Sequence, residues 1–242
     1  MPQANAVIPS APLIETGCTL LKTDSECILR YGVEQNILQS LIGCYADIYS
    51  YINGLKNKLT IKEMIKKIDE SITLDEFIKY QNSTLMGIFK NTKKKVTKEK
   101  REKYKDTSFY QLIDLTDKSE KNLLDTTIIS YENFKDYLND DLSIMDDKIF
   151  WSIITESNEK LLSEEINMVI LEIEKDKKEV NLLCPVNAYR ENLFDKDKGT
   201  WILIKQREYY EPIYICTKDK NENMKYEKLF KKQNENVNYV LE

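Results

Sequence analysis

Apolar residues recur along this chain with three different rhythms. Over Asn36–Tyr49 and just beyond, Ile37, Leu41, Cys44, Ile48 and Ile52 return at three- and four-residue steps. That spacing predicts a helix with one buried face. Gly43 within it lowers helix propensity but lets a neighbour approach closely. Ahead of the helix, the apolar runs Cys18–Leu21 and Cys27–Tyr31 flank the polar stretch Lys22–Glu26, a pattern that predicts a hairpin.

From about Leu59 to Ser157 the rhythm is helical throughout. Ile61, Met64, Ile65 and Ile68 form an amphipathic stripe, and Thr73 followed by Glu76 has the spacing of a capping box. Ser108–Leu115, Glu120–Ile129, Tyr131–Leu138 and Asp146–Thr155 read as further helices, with Tyr131, Phe134 and Leu138 on one face. The third rhythm, Ile166 to Cys216, is that of strands. Ile166–Ile173 and Val180–Pro185 pair across the polar Glu174–Glu179, and Trp201–Lys205 and Glu211–Cys216 pair around Gln206–Tyr210.

Four strands after a helical block predict an α+β fold, with helices packed on a small, mostly antiparallel sheet. The predicted organisation is a flexible leader at residues 1–12, one domain over 13–217 with a helical insertion at about 59–157, and a polar C-terminal segment at 218–242. No internal repeat is visible.

Composition narrows the function. Of 242 residues, 41% are hydrophobic and 10% aromatic, enough for a sizeable core. A net charge of -5 gives no global drive towards nucleic acid or anionic lipid. No apolar run reaches the length of a membrane-spanning helix, so no membrane association is expected. Cys18, Cys27, Cys44, Cys184 and Cys216 are odd in number and lack metal-ligand spacing, so they read as reduced, packed thiols in an intracellular protein.

Histidine is absent from all 242 positions. A Cys-His or Ser-His hydrolase is thereby excluded, and Cys27 and Cys44 have no adjacent base. The glycine-rich phosphate-binding signatures are missing as well, so no nucleotide cofactor is expected. The carboxylates Asp140, Asp141, Asp146 and Asp147 cluster without a metal-site pattern, and Asp176-Lys177-Lys178 sits in an expected turn. Glu172 and Glu174 share one strand face before it. Neither a metal nor another cofactor is expected, and a metal-dependent nuclease is an alternative only. The one strongly basic segment, Lys90–Lys105, offers Lys93, Lys94, Lys95, Lys98, Lys100 and Arg101 as candidate nucleic-acid contacts. A solvated loop is the plainer reading of such a run.

Gln39-Ser40-Leu41-Ile42-Gly43-Cys44-Tyr45-Ala46-Asp47 resembles the nucleophile helix of the ovarian-tumour-type (OTU) papain-like cysteine proteases, and Glu208-Tyr209-Tyr210-Glu211-Pro212-Ile213 resembles their histidine strand. In this register Ser40 stands at the nucleophile position and Tyr209 at the histidine position. A competing register sets Asp24-Ser25-Glu26-Cys27-Ile28-Leu29-Arg30 on the nucleophile segment and still lacks the histidine. Arg30–Asn36, Gln39–Cys44 and Tyr209–Tyr214 also look like segments of large nucleocytoplasmic DNA virus proteins, some similar to early transcription factor large subunits. The resemblance implies a non-catalytic OTU-like interaction or scaffold module, not an enzyme, whose vestigial site lies at Ser40 and Tyr209. It implies a viral or host protein partner, in the host cytoplasm or the virion. An active cysteine protease or deubiquitinase is the other alternative.

Overall fold

The computed structural model describes residues 21–34, 36–91, 93–174, 179–184, 195 and 197–231. Its elements in chain order are β1 (Ser25–Arg30), α1 (Ser40–Ile52), α2 (Ile61–Ser71), α3 (Leu74–Lys79), α4 (Thr84–Ile88), α5 (Lys98–Glu102), α6 (Ser108–Leu112), α7 (Lys118–Leu138), α8 (Asp147–Thr155), β2 (Asn167–Ile173), β3 (Val180–Leu183), β4 (Thr200–Gln206), β5 (Tyr209–Lys218) and β6 (Met224–Glu227). A 3-10 turn at Tyr80–Ser83 joins α3 to α4. The class is α+β, as the pattern predicts.

The chain divides into two compact units. The described residues of the first lie within Met1–Ile61, Ile166–Cys184 and Phe194–Glu242, and those of the second within Lys62–Glu165.

Among the described residues the first unit holds a six-stranded sheet in the order β1-β5-β4-β2-β3, with β6 paired to β5. The pairing is mixed: β2 and β4 run parallel, and the others are antiparallel. Ile202 lies opposite Ile213 and Leu203 opposite Pro212. One face therefore carries Ile170, Trp201, Leu203, Tyr210 and Tyr214, and the other Val169, Ile202, Ile213 and Ile215. Both faces are largely buried at these central strands, while Ile28 on β1 and Val180 and Leu182 on β3 are exposed. Helix α1 packs against β5 on the first face, and Phe230 packs into the Val169, Ile202 and Ile215 cluster on the second.

Four details depart from the sequence expectation. The predicted hairpin before α1 does not describe β1, which pairs with β5 far along the chain; Cys18–Leu20 lie outside the described residues. Helix α1 begins at Ser40, because Asn36 Oδ1 accepts from the Leu38 amide and holds Asn36–Gln39 as a turn. Ile37 is consequently exposed and not part of the buried face. The turn between β4 and β5 shrinks to Arg207-Glu208, with Arg207 left-handed at φ 57°. The strand pattern also does not stop at Cys216: β6 follows, and Lys228 and Phe230 are buried.

Gly43 is needed where it stands. A Cβ there would come within 2.6 Å of the Glu34 carbonyl oxygen, a backbone atom that cannot yield cheaply.

The second unit is helical. The stretches read separately as Glu120–Ile129 and Tyr131–Leu138 form the single helix α7. Thr73 and Glu76 make the reciprocal capping box: Thr73 Oγ1 accepts from the Glu76 amide at 3.3 Å, and Glu76 Oε2 accepts from the Thr73 amide at 2.7 Å. Phe77, Phe89, Tyr131 and Phe134 pack ring on ring, with centroids 5.3–6.5 Å apart. No helix among the described residues is long and apolar enough to cross a membrane.

Candidate functional site

Three residues on one face of α1 turn their polar atoms to β5. They are Ser40, Cys44 and Asp47, spaced about one helical turn apart. Ser40 Oγ accepts from the Tyr210 amide at 3.0 Å and donates to the Glu208 carbonyl at 3.3 Å. Cys44 Sγ donates to the Tyr210 carbonyl at 3.4 Å. Asp47 Oδ2 accepts from the Tyr214 hydroxyl at 2.5 Å. All three side chains are buried.

The structure thus brings the Ser40 and Tyr209 segments together. The contact is not a groove between two side chains: the Ser40 hydroxyl grips the main chain on either side of Tyr209. A buried hydroxyl committed in both directions is a clasp. Burial pushes the Cys44 thiol well above its ordinary value, and the nearby charges of Asp47 and Glu211 add to this. The thiolate that nucleophilic chemistry needs is therefore disfavoured. In the competing register Cys27 lies on β1 directly opposite Cys216, and neither forms a disulfide. Cys184 is exposed, which departs from the expectation of packed cysteines; Cys18 is outside the described residues.

The basic segment is partly neutralised within its own unit. Arg101 binds Asp125 through two nitrogens, at 2.5 and 2.8 Å, and also donates to the Val96 carbonyl at 3.2 Å. Lys100 pairs with Glu132, and Lys94 lies 3.8 Å from Asp136 while bonding Asn133. All of these acceptors but Val96 belong to α7. Part of the run is the short helix α5, capped by Thr97. Lys93, Lys95 and Lys98 are exposed. This arrangement places half of the six candidate contacts against carboxylates, which weakens the field a phosphate backbone would meet.

The carboxylates near the helix ends lie in the turn after α7 and at the start of α8. Asp140 Oδ1 accepts from the Leu142 amide at 3.0 Å, Asp146 is the N-cap residue of α8, and Asp147 lies in its first turn. Asp141 is exposed beside Asp140. Glu172 lies 3.9 Å from Lys205, and Asp176 falls outside the described residues. Among the described residues no group of three or more potential ligands is placed to hold a metal ion.

A buried polar cluster surrounds Asp47, whose side chain is 1% exposed. Lys228 Nζ reaches both carboxylate oxygens, at 2.9 and 2.7 Å. Lys58 Nζ lies 2.6 Å from Oδ1 and donates to the Tyr31 hydroxyl at 2.7 Å. Tyrosine rings enclose the Lys228 ammonium: it sits 4.7 Å from the Tyr31 centroid, 4.8 Å from Tyr214 and 5.9 Å from Tyr51. Tyr226 meets Tyr31 edge-on at 5.7 Å.

Burial alone would raise the Asp47 carboxyl, but the charge of Lys228 and hydrogen bonds from Lys228, Lys58 and Tyr214 outweigh it and hold the carboxyl below its ordinary value. Burial lowers Lys228, against the pull of Asp47. Lys58 is also partly desolvated, yet its bonds to Asp47 and Tyr31 raise it. The Tyr214 phenol is pushed up, first by burial and then by Asp47.

Asp47 closes the Gln39–Asp47 motif, but the motif itself assigns it no role. The signal was present: a carboxylate inside an apolar helix needs a cation or a hydrogen-bond donor. Nothing local identified which of the chain's 36 lysines and arginines would supply it.

No protein-family model matches the chain, and no curated protein and no solved structure is significantly similar to it.

Proposed function

We propose that this chain is a non-catalytic protein-interaction module, with an ovarian-tumour-type scaffold retained for its shape. The observation that carries this reading is the Ser40 clasp. At the position where a papain-like nucleophile would attack, the hydroxyl accepts from the Tyr210 amide and donates to the Glu208 carbonyl. Tyr209 stands where the base would be, and the chain has no histidine to put elsewhere. The buried Cys44 thiol, one turn on, is protonated and bonded to the same strand. Such a site positions a hairpin on a helix; it does not activate water or form an acyl intermediate.

The test is a ubiquitin probe carrying a thiol-reactive C-terminus, together with a ubiquitin-chain cleavage assay. Neither adduct nor cleavage is expected. An adduct that disappears in Cys44→Ala or Cys27→Ala would overturn the reading in favour of a protease. Salt-sensitive DNA binding that is lost when Lys93, Lys95 and Lys98 are replaced by alanine would move it to a nucleic-acid module.

A further inference from the structure

An ammonium ringed by tyrosine faces and gripped by a carboxylate is the arrangement proteins use to recognise cations. In this chain the arrangement is filled from within. Two features separate it from an ordinary buried ion pair.

The first is stoichiometry. Lys58 and Lys228 both bond the single carboxylate of Asp47. One cation would neutralise it, and Lys58, whose side chain is half exposed, already does so. If Lys228 withdraws, Asp47 keeps Lys58 and the Tyr214 hydroxyl. The usual penalty for emptying a buried ion pair, a stranded charge, is thereby much reduced.

The second is how Lys228 arrives. It follows β6, a four-residue strand paired with the far end of β5. Phe230 then returns to bridge Thr200. The occupant thus comes from a segment of its own, between β6 and the Phe230 bridge, whereas Asp47, Tyr31 and Tyr214 sit on or beside α1, β1 and β5. Tyr51, beside the ammonium, and Tyr226, beside Tyr31, are both exposed to solvent, while Lys228 itself is buried.

We propose that the cage of Asp47, Tyr31, Tyr51 and Tyr214 is a recognition site for a primary alkylammonium group, with Lys228 serving as its internal pseudo-ligand. The chemistry is that of a lysine side chain or a free aliphatic amine. Both oxygens of Asp47 lie at hydrogen-bond distance from the ammonium, so the ligand must carry N–H donors. A quaternary ammonium could satisfy the rings but not the carboxylate. Lys228 competes at the high effective concentration of a tethered group. External ligand therefore meets a site open only part of the time, and its apparent affinity falls by that fraction. This inference is independent of the Ser40 reading, and the two tests report separately.

The test uses the whole chain with Lys228→Ala, titrated with n-butylammonium and followed by tyrosine ring NMR shifts and thermal unfolding. Saturable binding is expected, at least about ten-fold tighter than to the unsubstituted chain, which still carries its competitor. Binding should be lost in Asp47→Asn/Lys228→Ala. Neutral n-butanol should not bind, and n-butyltrimethylammonium should bind more weakly than the primary amine. If Lys228→Ala unfolds, n-butylammonium should restore a cooperative transition, because a ligand of the native state alone stabilises it. The proposal is overturned if the folded variant shows no saturable shift, if the amine fails to restore an unfolded one, if the unsubstituted chain binds as tightly, if Asp47→Asn leaves binding intact, or if n-butanol or the quaternary amine does as well. Titration with N-acetyl-lysine methylamide and with spermidine identifies the source. Tighter binding of the first points to a protein lysine, and of the second to a free polyamine; failure of both overturns the proposal.

Discussion

Tyrosine and phenylalanine fill both units, but to different ends. In the helical unit the rings pack on one another: Phe134 lies 5.3 Å from Phe77 and 5.4 Å from Phe89, and Phe89 lies 5.2 Å from Tyr137. The Tyr131 hydroxyl there goes to a backbone acceptor, the Ile72 carbonyl, at 2.7 Å. In the sheet unit, Tyr31 and Tyr214 stand 5.1 Å apart and turn their faces to an ammonium. The first arrangement draws its stability from apolar area and dispersion, which are insensitive to protonation. The second depends on charges remaining as they are. One residue class thus builds a ring-on-ring core in one unit and lines a buried ammonium in the other.

The largest expected effect comes from the apolar side. Phe134 is fully buried and touches two other rings. Phe134→Ala should destabilise the helical unit by about 3–5 kcal/mol, with the loss nearly constant between pH 4 and 8. The chain has two tryptophans, Trp151 in the helical unit and Trp201 in the sheet unit. Urea unfolding followed by Trp151 in a Trp201→Phe background reads this unit. A loss below about 1 kcal/mol would mean that the aromatic cluster is not what holds it.

Asp47→Asn should be next, at about 3 kcal/mol in the sheet unit, because it leaves Lys228 buried without its anion. Lys58, facing water, contributes less to the loss. Trp201 in a Trp151→Phe background reads this transition. Its pH dependence distinguishes the two cores. The folded Asp47 carboxyl lies below its ordinary value, so the native state releases this proton more readily than the unfolded chain. The contribution is present in full above the unfolded value of about 3.9 and is lost as pH falls through the folded one. The gap between the unsubstituted chain and Asp47→Asn should therefore narrow on acidification. A gap that stays constant down to pH 3 would show that Asp47 acts through packing and not charge.

What the sequence disclosed follows the range of the forces involved. The stripe in α2, the Thr73–Glu76 box and the strand periods of β2, β4 and β5 depend on residues within a few positions of one another, and all could be read. Partners across the chain could not. The apolar run of β1 resembled half of a hairpin because a strand pattern does not name its neighbour; its neighbour is β5. Ile37 kept the helical period yet is exposed, since the Asn36 side chain starts a turn that the period does not see. Lys228 read as part of a polar tail. Only the fold brings it to Asp47, 181 residues away. The Ser40 and Tyr209 positions did converge in space, but as a main-chain clasp that side-chain motifs cannot describe.

The smallest effect separates two hydroxyl residues that both sit at a helix start. Thr73 caps α3 at the surface, and in Thr73→Ala water can take over its bond to the Glu76 amide. The expected cost is about 1 kcal/mol, read by Trp151. Ser40 is buried, and its hydroxyl meets the Tyr210 amide and the Glu208 carbonyl at once. Ser40→Ala strands that amide away from solvent, so it should cost about 2 kcal/mol, read by Trp201. The Tyr210 amide should also exchange its hydrogen faster in this variant, since it loses its acceptor. Equal losses at the two sites, with unchanged exchange at Tyr210, would mean that the Ser40 hydroxyl is an ordinary cap. It would then have no structural hold on the hairpin that carries Tyr209.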